Sequence, residues 1–277
     1  MHKRDIAIAY RIFPGISKNP FFSADNKLRL AASCLSSMKV ALDGVSFKIF
    51  AILDGCPDSY EELFRSHFKA DDLEIIQCQK IGNQATFRKQ IEILLGQTEA
   101  EIVYFAEDDY LYVPGAFEKI VKLLRQAPAI DFVTPYDHLD YYTLNFHNYK
   151  SQIISRADHH WRSVSTTCLT FAARKSELSR AHRALEHYSE GSSDASVWLS
   201  ITKFHIYNPF KYLQFLFQNF YLFKILAISW KFGWRENLFL KRQTLYSPVP
   251  SLATHAEATC LAPNIDWQKH IPPRPLP

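Results

Sequence analysis

Three consecutive carboxylates, Glu107, Asp108 and Asp109, directly follow the apolar segment IVYFA at 102–106. Like charges this close raise one another's pKa unless a cation compensates them. Oxygen ligands in pairs suit Mg²⁺ or Mn²⁺, which often bridges a protein to substrate phosphates. The alternative is a solvated turn in which Asp108 or Asp109 caps the following helix. The triplet therefore predicts either a divalent-cation site or an acidic helix cap.

Two other polar groups also follow predicted strands. Tyr10 and Arg11 end the first strand, and Asp54 ends the second. A tyrosine ring can stack on a base, an arginine can bind phosphate, and an aspartate can accept a hydrogen bond from a base N–H. Ligands of open parallel sheets bind at the carboxyl ends of the strands. With the acidic triplet, these residues predict a nucleotide pocket at that edge.

The elements that would position these side chains alternate along the first half of the chain. β-branched and aromatic runs predict strands, and apolar residues at helical spacing predict helices. The predicted strands cover 5–13, 46–55, 73–79 and 101–107, and the predicted helices cover 23–42, 58–68, 83–97 and 114–128. Four strand-helix alternations indicate an α/β core, with a mainly parallel sheet flanked by helices on both faces.

Local signals predict where three of these helices begin. Ser23 is a candidate N-cap for the first helix, and Asp58 or Ser59 for the second. Pro114 suits the first turn of the fourth helix, because its missing N–H has no partner there in any case.

The second half is predicted to extend the same core. It contains a strand-like segment at 162–174, a helix from about Lys175 and a further apolar helix after Asp194. We expect one domain over 1–267, made of a nucleotide-binding half (1–138), an acceptor-side half (139–203), aromatic helices (204–240) and a closing segment (241–267), followed by an extended tail (268–277).

Composition excludes several classes of protein. Of the 277 residues, 47% are hydrophobic and 22% charged, as in an ordinary globular protein. The net charge of +4 comes without a basic run, which argues against a nucleic-acid partner. Five widely spaced cysteines form no zinc pattern and favour a reduced, cytoplasmic compartment. The N-terminus lacks the apolar segment of a secretory signal.

The stretch at 204–234 is rich in aromatic residues. Lys211 and Gln214 interrupt it, so it lacks the unbroken apolar window of a membrane-spanning helix. Apolar residues recur near helical spacing and predict one or two amphipathic helices. These helices either pack on the protein's own core or make peripheral contact with a membrane or partner.

Several motifs in this order resemble a known family. "LDG", "GN" before an Arg-bearing helix, "AEDDY", "SSDASVW" and "PSLATH" are similar to motifs of the GT-A fold nucleotide-sugar glycosyltransferases, especially the inverting family 2. The resemblance covers about residues 5–267 and implies a Rossmann-like GT-A fold. In that family an acidic DXD motif holds a divalent cation against the donor diphosphate. The EDD triplet matches its position, with a different spelling.

The resemblance also implies roles for residues around the cation. Asp109 and His255 would be ligands of Mn²⁺ or Mg²⁺, and Asp108 would lie beside the nucleotide. Asp54 would contact the base, although Leu53 and Cys56 depart from the family's "DDGS" motif.

Arg88 would lie near the nucleotide by the same resemblance. The alternative is a solvated position on its helix.

The catalytic base would be Asp194, which deprotonates the acceptor hydroxyl. Ser193 replaces the family's more frequent acid there, Glu190 is the fallback base, and Asp194 could instead be a plain N-cap.

The donor-sugar and acceptor cleft would be lined by residues of the middle of the chain. Thr166 and Thr167 could bind hydroxyls, and Glu107 and Glu190 would also face this cleft. Trp161 could stack on a sugar or belong to the core.

The resemblance implies a metal-dependent inverting glycosyltransferase. It would move a sugar from a nucleoside-diphosphate donor, most often a UDP-sugar, to a hydroxyl of a saccharide or lipid-linked acceptor in surface polysaccharide synthesis. It would work in the cytoplasm or at the inner face of the plasma membrane. A non-catalytic nucleotide-sugar-binding or scaffolding protein is the alternative. A nucleotidyltransferase is disfavoured because the first strand-helix turn lacks a glycine-rich phosphate loop.

Overall fold

The computed structural model describes residues 3–16 and 19–272, which form eleven strands and nine α-helices with a few 3-10 turns. The strands are β1 (Ile6–Ile12), β2 (Phe47–Asp54), β3 (Leu73–Cys78), β4 (Ile102–Glu107), β5 (Tyr110–Tyr112), β6 (Phe132–Val133), β7 (Ile153–Arg156), β8 (His159–Ser163), β9 (Phe171–Arg174), β10 (Leu245–Val249) and β11 (Ala253–His255). The helices are α1 (Lys27–Ala41), α2 (Asp58–His67), α3 (Asn83–Gly96), α4 (Ala116–Gln126), α5 (Asp140–Thr143), α6 (Lys175–Glu186), α7 (Asp194–Thr202), α8 (Pro209–Gln218) and α9 (Phe220–Phe239).

The central sheet is large and mainly parallel, as predicted. Its nine strands lie in the order β3-β2-β1-β4-β9-β6-β10-β8-β7. The first four are mutually parallel, and β9 and β8 run opposite to their neighbours, so seven of the nine strands share one direction. A separate two-stranded sheet joins β5 to β11.

Helices cover both faces of this sheet because its central strands are buried on both sides. All seven residues of β1 are buried. Ile6 and Ile8 pack with α1, α2 and α4 on one face, whereas Ala7 and Ala9 pack with α3, α6 and α7 on the other. This alternation is the two-residue period of a strand, and it makes β1 the centre of an α/β core.

The helix starts differ from the predictions. Helix α1 is capped by Asn26, whose Oδ1 accepts a hydrogen bond of 2.9 Å from the Arg29 N–H, so Ser23 is not the cap. Helix α2 begins at Asp58 after Pro57 and has no side-chain cap.

Helix α4 also begins later than predicted. Gly115 precedes it in the left-handed region, with φ of 72°, which a glycine adopts without strain. Pro114 therefore lies outside the helix.

The segment predicted as one strand over 162–174 is two strands with a loop between them. β8 ends at Ser163 and β9 begins at Phe171. The intervening hydroxyls are buried and hydrogen-bond to side chains at the ends of β6 and β4: Thr167 Oγ1 donates to Thr134 Oγ1 at 3.0 Å, and Thr170 Oγ1 donates to a Glu107 carboxylate oxygen at 2.9 Å. These side-chain bonds stabilise an irregular backbone that delivers hydroxyls to the acidic end of β4.

The C-terminal part stays close to the core for longer than predicted. Residues Trp267–His270 form a 3-10 turn rather than the start of an extended tail, and Trp267 is buried. The remainder of the predicted tail is described only as far as Pro272.

The aromatic stretch forms two helices, α8 and α9, and part of it packs on the protein itself. Phe215, Leu222, Ile225 and Leu226 form a small cluster with Leu199 of α7. Among the helices that the structure describes, none is long and apolar enough to cross a membrane.

Gln90 links the strands that carry the candidate site, and its replacement should be costly. It is fully buried on α3, and its side-chain amide donates to the carbonyls of Ala9 and Ala106, at 2.7 and 3.0 Å. We expect Gln90→Met to lower the free energy of unfolding by about 1–3 kcal/mol, because a thioether cannot replace either bond. Urea denaturation measures this. Glu92→Met, at an exposed position of the same helix, is the matched control, and equal stability of the two variants would contradict the linking role.

Candidate active site

Arg11 and Glu107 meet where β1 and β4 end. The two residues are paired in register across the parallel strands. The Arg11 guanidinium lies 2.5 Å from the Glu107 carboxylate, donates to the Asn83 carbonyl at 2.9 Å, and lies 5.6 Å from the centre of the Phe87 ring. Arg11 is only 6% exposed, so these contacts hold it in one position at the carboxyl edge of the sheet.

The other two carboxylates of the triplet also have their own cations. Lys27 Nζ of α1 lies 2.8 Å from Asp108 Oδ2. His255 Nε2 of β11 lies 3.2 Å from Asp109 Oδ2. The three acids are therefore compensated by basic groups from three different elements, which explains how they can end a buried strand.

Burial and charge shift the pKa values of these acids in opposite directions. Burial raises the pKa of Asp108 to about 6; Lys27 opposes this shift, and the charge of Asp109 adds to it. Burial also raises the pKa of Asp109, but the charge and hydrogen bond of His255 outweigh it and leave that pKa below its usual value. Burial lowers the pKa of His255, but the attraction of Asp109 prevails and raises it to about 9. Asp109 and His255 thus form an ion pair at neutral pH.

The Asp109–His255 pair retains one unused ligand atom, Asp109 Oδ1, whereas His255 would have to release its proton before it could bind a cation. Asp109 Oδ1 and His255 Nδ1 are buried and have no hydrogen-bond partner in the part of the chain that the structure describes. An unpartnered buried carboxylate oxygen fits a divalent cation, which could take its remaining ligands from substrate phosphates and water. Within residues 3–16 and 19–272, no three His, Cys, Asp or Glu side chains form a ready metal site.

A cavity of about 250 Å³ opens beside the triplet. It is lined by Arg11, Ile12, Phe13, Asp54, Gly82, Asn83, Thr86 and the three carboxylates. Asp54 accepts hydrogen bonds from the backbone N–H groups of Ile81 and Gly82, at 2.7 and 2.8 Å, and so fixes the loop before α3. Gly82 has φ of 88°, a conformation that favours glycine. Asp54 both lines the cavity and shapes its wall.

A second cavity, of about 200 Å³, contains the predicted base. Its wall combines polar residues, among them Asp194, Thr166, Thr167 and His138, with Tyr221, Leu222 and Ile225 of α9. Asp194 is the first residue of α7, and the N-cap is Ser193, whose hydroxyl accepts from the Ser196 N–H at 3.2 Å. Asp194 is therefore not a plain N-cap.

Asp194 lies close to the acidic triplet. Burial raises its pKa, and the charge of Glu107 raises it further. The Cys168 thiol responds to the same groups: burial raises its pKa, and the charges of Asp194, Glu107 and Asp109 raise it further. Glu107 of the first cavity and Asp194 of the second therefore interact electrostatically.

Two aromatic residues predicted to stack on a ligand lie in the core instead. Tyr10 is 1% exposed and packs edge-on against Phe64, with ring centres 5.2 Å apart. Because Tyr10 directly precedes Arg11 on β1, its side chain lies on the opposite face of the sheet from that of Arg11. Trp161 is fully buried, and its indole N–H donates to the Arg156 carbonyl at 3.0 Å. The stacking role is therefore wrong for both residues.

Two predicted polar residues also lie outside the cavities. Arg88 is exposed on α3 and lines neither of them, in agreement with the solvated-face alternative. Glu190 is exposed and pairs with His187 at 2.8 Å, so it does not face the cleft. Of the two candidate bases, Asp194 alone lines a described cavity.

Sequence reasoning missed several residues that complete the site. Lys27, Thr170 and His138 are among them, as is Asn83, whose amide donates to the Tyr188 hydroxyl at 2.8 Å. Only Lys27 carried a usable signal. A lysine in the first turn opposes the helix macrodipole, and such a position suggests an anionic partner.

Comparisons with known proteins gave structural neighbours only: no family model and no curated protein matches the sequence. Glucosyl-3-phosphoglycerate synthase from Mycobacterium tuberculosis, solved with Mg²⁺ and UDP, is 13% identical over 62% of this chain and 57% of its own, with a TM-score of 0.38. Mannosyltransferase PcManGT from Pyrobaculum calidifontis, with GDP-Man and Mn²⁺, is 13% identical over 74% and 53%, with a TM-score of 0.43. TarS from S. aureus is 11% identical over 70% and 32%, with a TM-score of 0.45. These values are too low to assign a family or a reaction to this chain.

Removing the unpartnered oxygen of Asp109 should weaken cation binding. We expect Asp109→Asn to lower the affinity for Mn²⁺, measured by isothermal titration in the presence of UDP, by at least about tenfold, because the amide replaces an anionic ligand. Asp158→Asn, at a position 85% exposed, is the control and should bind as the wild type does. Unchanged Mn²⁺ affinity in a folded Asp109→Asn variant would rule out this cation site.

Proposed function

We propose that this protein is a metal-dependent inverting glycosyltransferase. It would transfer a sugar from a nucleoside-diphosphate donor, such as a UDP-sugar, to a hydroxyl of a saccharide or lipid-linked acceptor. The observation that carries the proposal is a pair of cavities, one with the unpartnered oxygen of Asp109 and the other with the carboxylate of Asp194, whose pKa Glu107 of the first cavity raises. The resemblance of the motifs to the GT-A family supports the same assignment.

The first cavity would hold the donor. Arg11 is fixed beside Glu107 and can face the anionic diphosphate, while Asp54 keeps the loop before α3 in place around the nucleotide. Asp109 and His255 would hold Mn²⁺ or Mg²⁺, with Asp108 beside the nucleotide. When bound, the cation would offset the negative charge that develops on the leaving diphosphate.

The second cavity would hold the acceptor and the base. A carboxylate with a raised pKa is better matched to proton transfer near neutral pH, and Asp194 has this property through burial and Glu107. Asp194 takes the hydroxyl proton while the acceptor oxygen bonds to the anomeric carbon. The bond from that carbon to the diphosphate oxygen breaks, and its electron pair leaves with the diphosphate. Attack from the opposite side inverts the anomeric centre.

The proposed glycosyltransferase function also suggests a cellular location. We place the reaction in the cytoplasm, in surface polysaccharide synthesis, with the exposed aromatic helices in peripheral contact with the inner face of the plasma membrane.

A non-catalytic nucleotide-sugar-binding or scaffolding protein is the second candidate. It is favoured by the ion pairing of the acidic triplet, since Arg11, Lys27 and His255 compensate all three acids without a metal. Titration of UDP-sugars with and without Mn²⁺, combined with an assay for donor hydrolysis, separates the two. Tight binding without any turnover would favour the second candidate.

Asp194→Asn should abolish the chemical step and spare donor binding. We expect kcat to fall by about 10²–10⁴-fold, the usual contribution of a general base, with UDP affinity changed by less than about twofold. A panel of nucleotide sugars, with UDP or GDP release as readout, measures this. Glu190→Gln is the matched control and should retain activity, because Glu190 lies outside the cavity. The reverse pattern would assign the base to Glu190.

A further inference from the structure

Helix α8 presents apolar side chains to the outside. Phe215 is the one buried residue of its ten. Phe210 is 80% exposed, Leu213 56% and Phe217 84%. Their spacing of three and four residues places them along one face of the helix. A helix that merely covered the core would direct its apolar face inward, so this outer face calls for a partner.

The exposed apolar surface continues on both sides of α8. It includes Tyr207 before the helix and Phe220 and Tyr221 at the start of α9, with exposed fractions of 58%, 55% and 70%. Large contiguous apolar surfaces of this kind mark binding sites for proteins or membranes. We call the set Tyr207, Phe210, Leu213, Phe217, Phe220 and Tyr221 the aromatic face.

The charges around the aromatic face favour an anionic lipid surface. Residues 204–235 contain four Lys or Arg residues and neither Asp nor Glu. Two of them interleave with the aromatic rings: Lys211 Nζ lies 5.6 Å from the centre of the Phe215 ring, and Lys224 Nζ lies 5.3 Å from that of Phe220. Basic residues beside exposed aromatic residues are typical of helices that lie in the headgroup region of a bilayer. In a homodimer through this face, by contrast, the same cations would repel one another.

The aromatic face is continuous with the cavity that contains Asp194. Tyr221, Leu222 and Ile225 of α9 line that cavity together with Thr166 and Thr167. Tyr221 is 70% exposed and so belongs to both the outer surface and the cavity lining. The lining therefore combines apolar side chains of α9, one of which reaches the surface, with hydroxyl groups.

We propose that α8 and the start of α9 dock on an anionic membrane surface and that the acceptor is an amphiphile. Its polar head would reach Asp194 past Tyr221 while its apolar chain stays in the bilayer. The second half of this proposal rests on the proposed function, and the docking half does not. Since none of the described helices crosses a membrane, the contact is peripheral.

Vesicle binding tests the docking half directly. The wild type should co-sediment with phosphatidylcholine vesicles that contain roughly 30% phosphatidylglycerol. Its binding should be at least about tenfold weaker to vesicles of phosphatidylcholine alone, or in about 0.5 M NaCl. The double variant Phe210→Ser with Phe217→Ser should lose at least about tenfold in partitioning, because two exposed rings no longer insert. Val40→Ser with Ile153→Ser is the matched control; those side chains are 54% and 71% exposed on α1 and β7, and this variant should bind as the wild type does.

The contrary result would be equally clear. If the wild type ignores anionic vesicles and light scattering shows a dimer that Phe210→Ser with Phe217→Ser dissociates, the aromatic face is a protein interface and docking is overturned. Thermal unfolding checks that both double variants are folded. Asp109→Asn should bind vesicles normally, so docking is judged independently of catalysis.

Acceptor preference tests the second half of the proposal, namely that the acceptor is an amphiphile. We expect n-octyl glycosides, below their micellar concentration, to have a KM at least about tenfold lower than the matched methyl glycosides. Phe210→Ser with Phe217→Ser should reduce this preference. Equal KM values would overturn the amphiphile acceptor and leave the glycosyltransferase proposal intact. Absence of transfer to any acceptor would instead contradict the proposed function. The acceptor half of this proposal would then fall as well, whereas the docking half would be unaffected.

Discussion

The candidate site depends on three ion pairs at the end of one strand. Arg11, Lys27 and His255 come from β1, α1 and β11, and each compensates one acid of the triplet that follows β4. Breaking a buried pair by removing one partner typically costs about 3–5 kcal/mol, because a charge remains without compensation. These pairs therefore hold three separate parts of the chain around the cavity as well as making the acids tolerable there.

The three pairs differ in what they leave free for chemistry. Glu107 uses its oxygens on Arg11 and Thr170, and Asp108 is tied to Lys27. The Asp109–His255 pair instead retains one carboxylate oxygen, Asp109 Oδ1, that has no hydrogen-bond partner among the described residues. The three acids are thus paired with basic groups of the chain itself, and under the proposed function Asp109 would be the one that also offers an oxygen to a cation.

Much of the architecture was predictable because local signals and global fold agree. Buried β-branched strands alternate with helices through β4 and α4, and the carboxyl-edge rule correctly brings Arg11, Asp54 and the acids to one cavity. The face of the sheet on which each side chain lies was harder to predict. Tyr10 and Arg11 are neighbours in sequence, yet they lie on opposite faces of the sheet because strand side chains alternate.

Pairings between distant residues could not be predicted from one sequence. Lys27 and Asp108 meet only through the fold, and so do His255 and Asp109. The hydroxyl loop before β9 was mistaken for strand because its β-branched residues match strand propensity, whereas side-chain hydrogen bonds determine its path. For α8, helical spacing correctly predicted an apolar face but could not tell whether that face points inward or outward.

A crystal structure with UDP and Mn²⁺, in which anomalous scattering locates the cation, tests the cation site at Asp109 most directly. We expect one Mn²⁺ at Asp109 Oδ1, with the nucleotide in the cavity beside Arg11. Two results would contradict this expectation. One is a cation bound elsewhere, and the other is a bound nucleotide with no cation beside it and with the Asp109–His255 ion pair undisturbed.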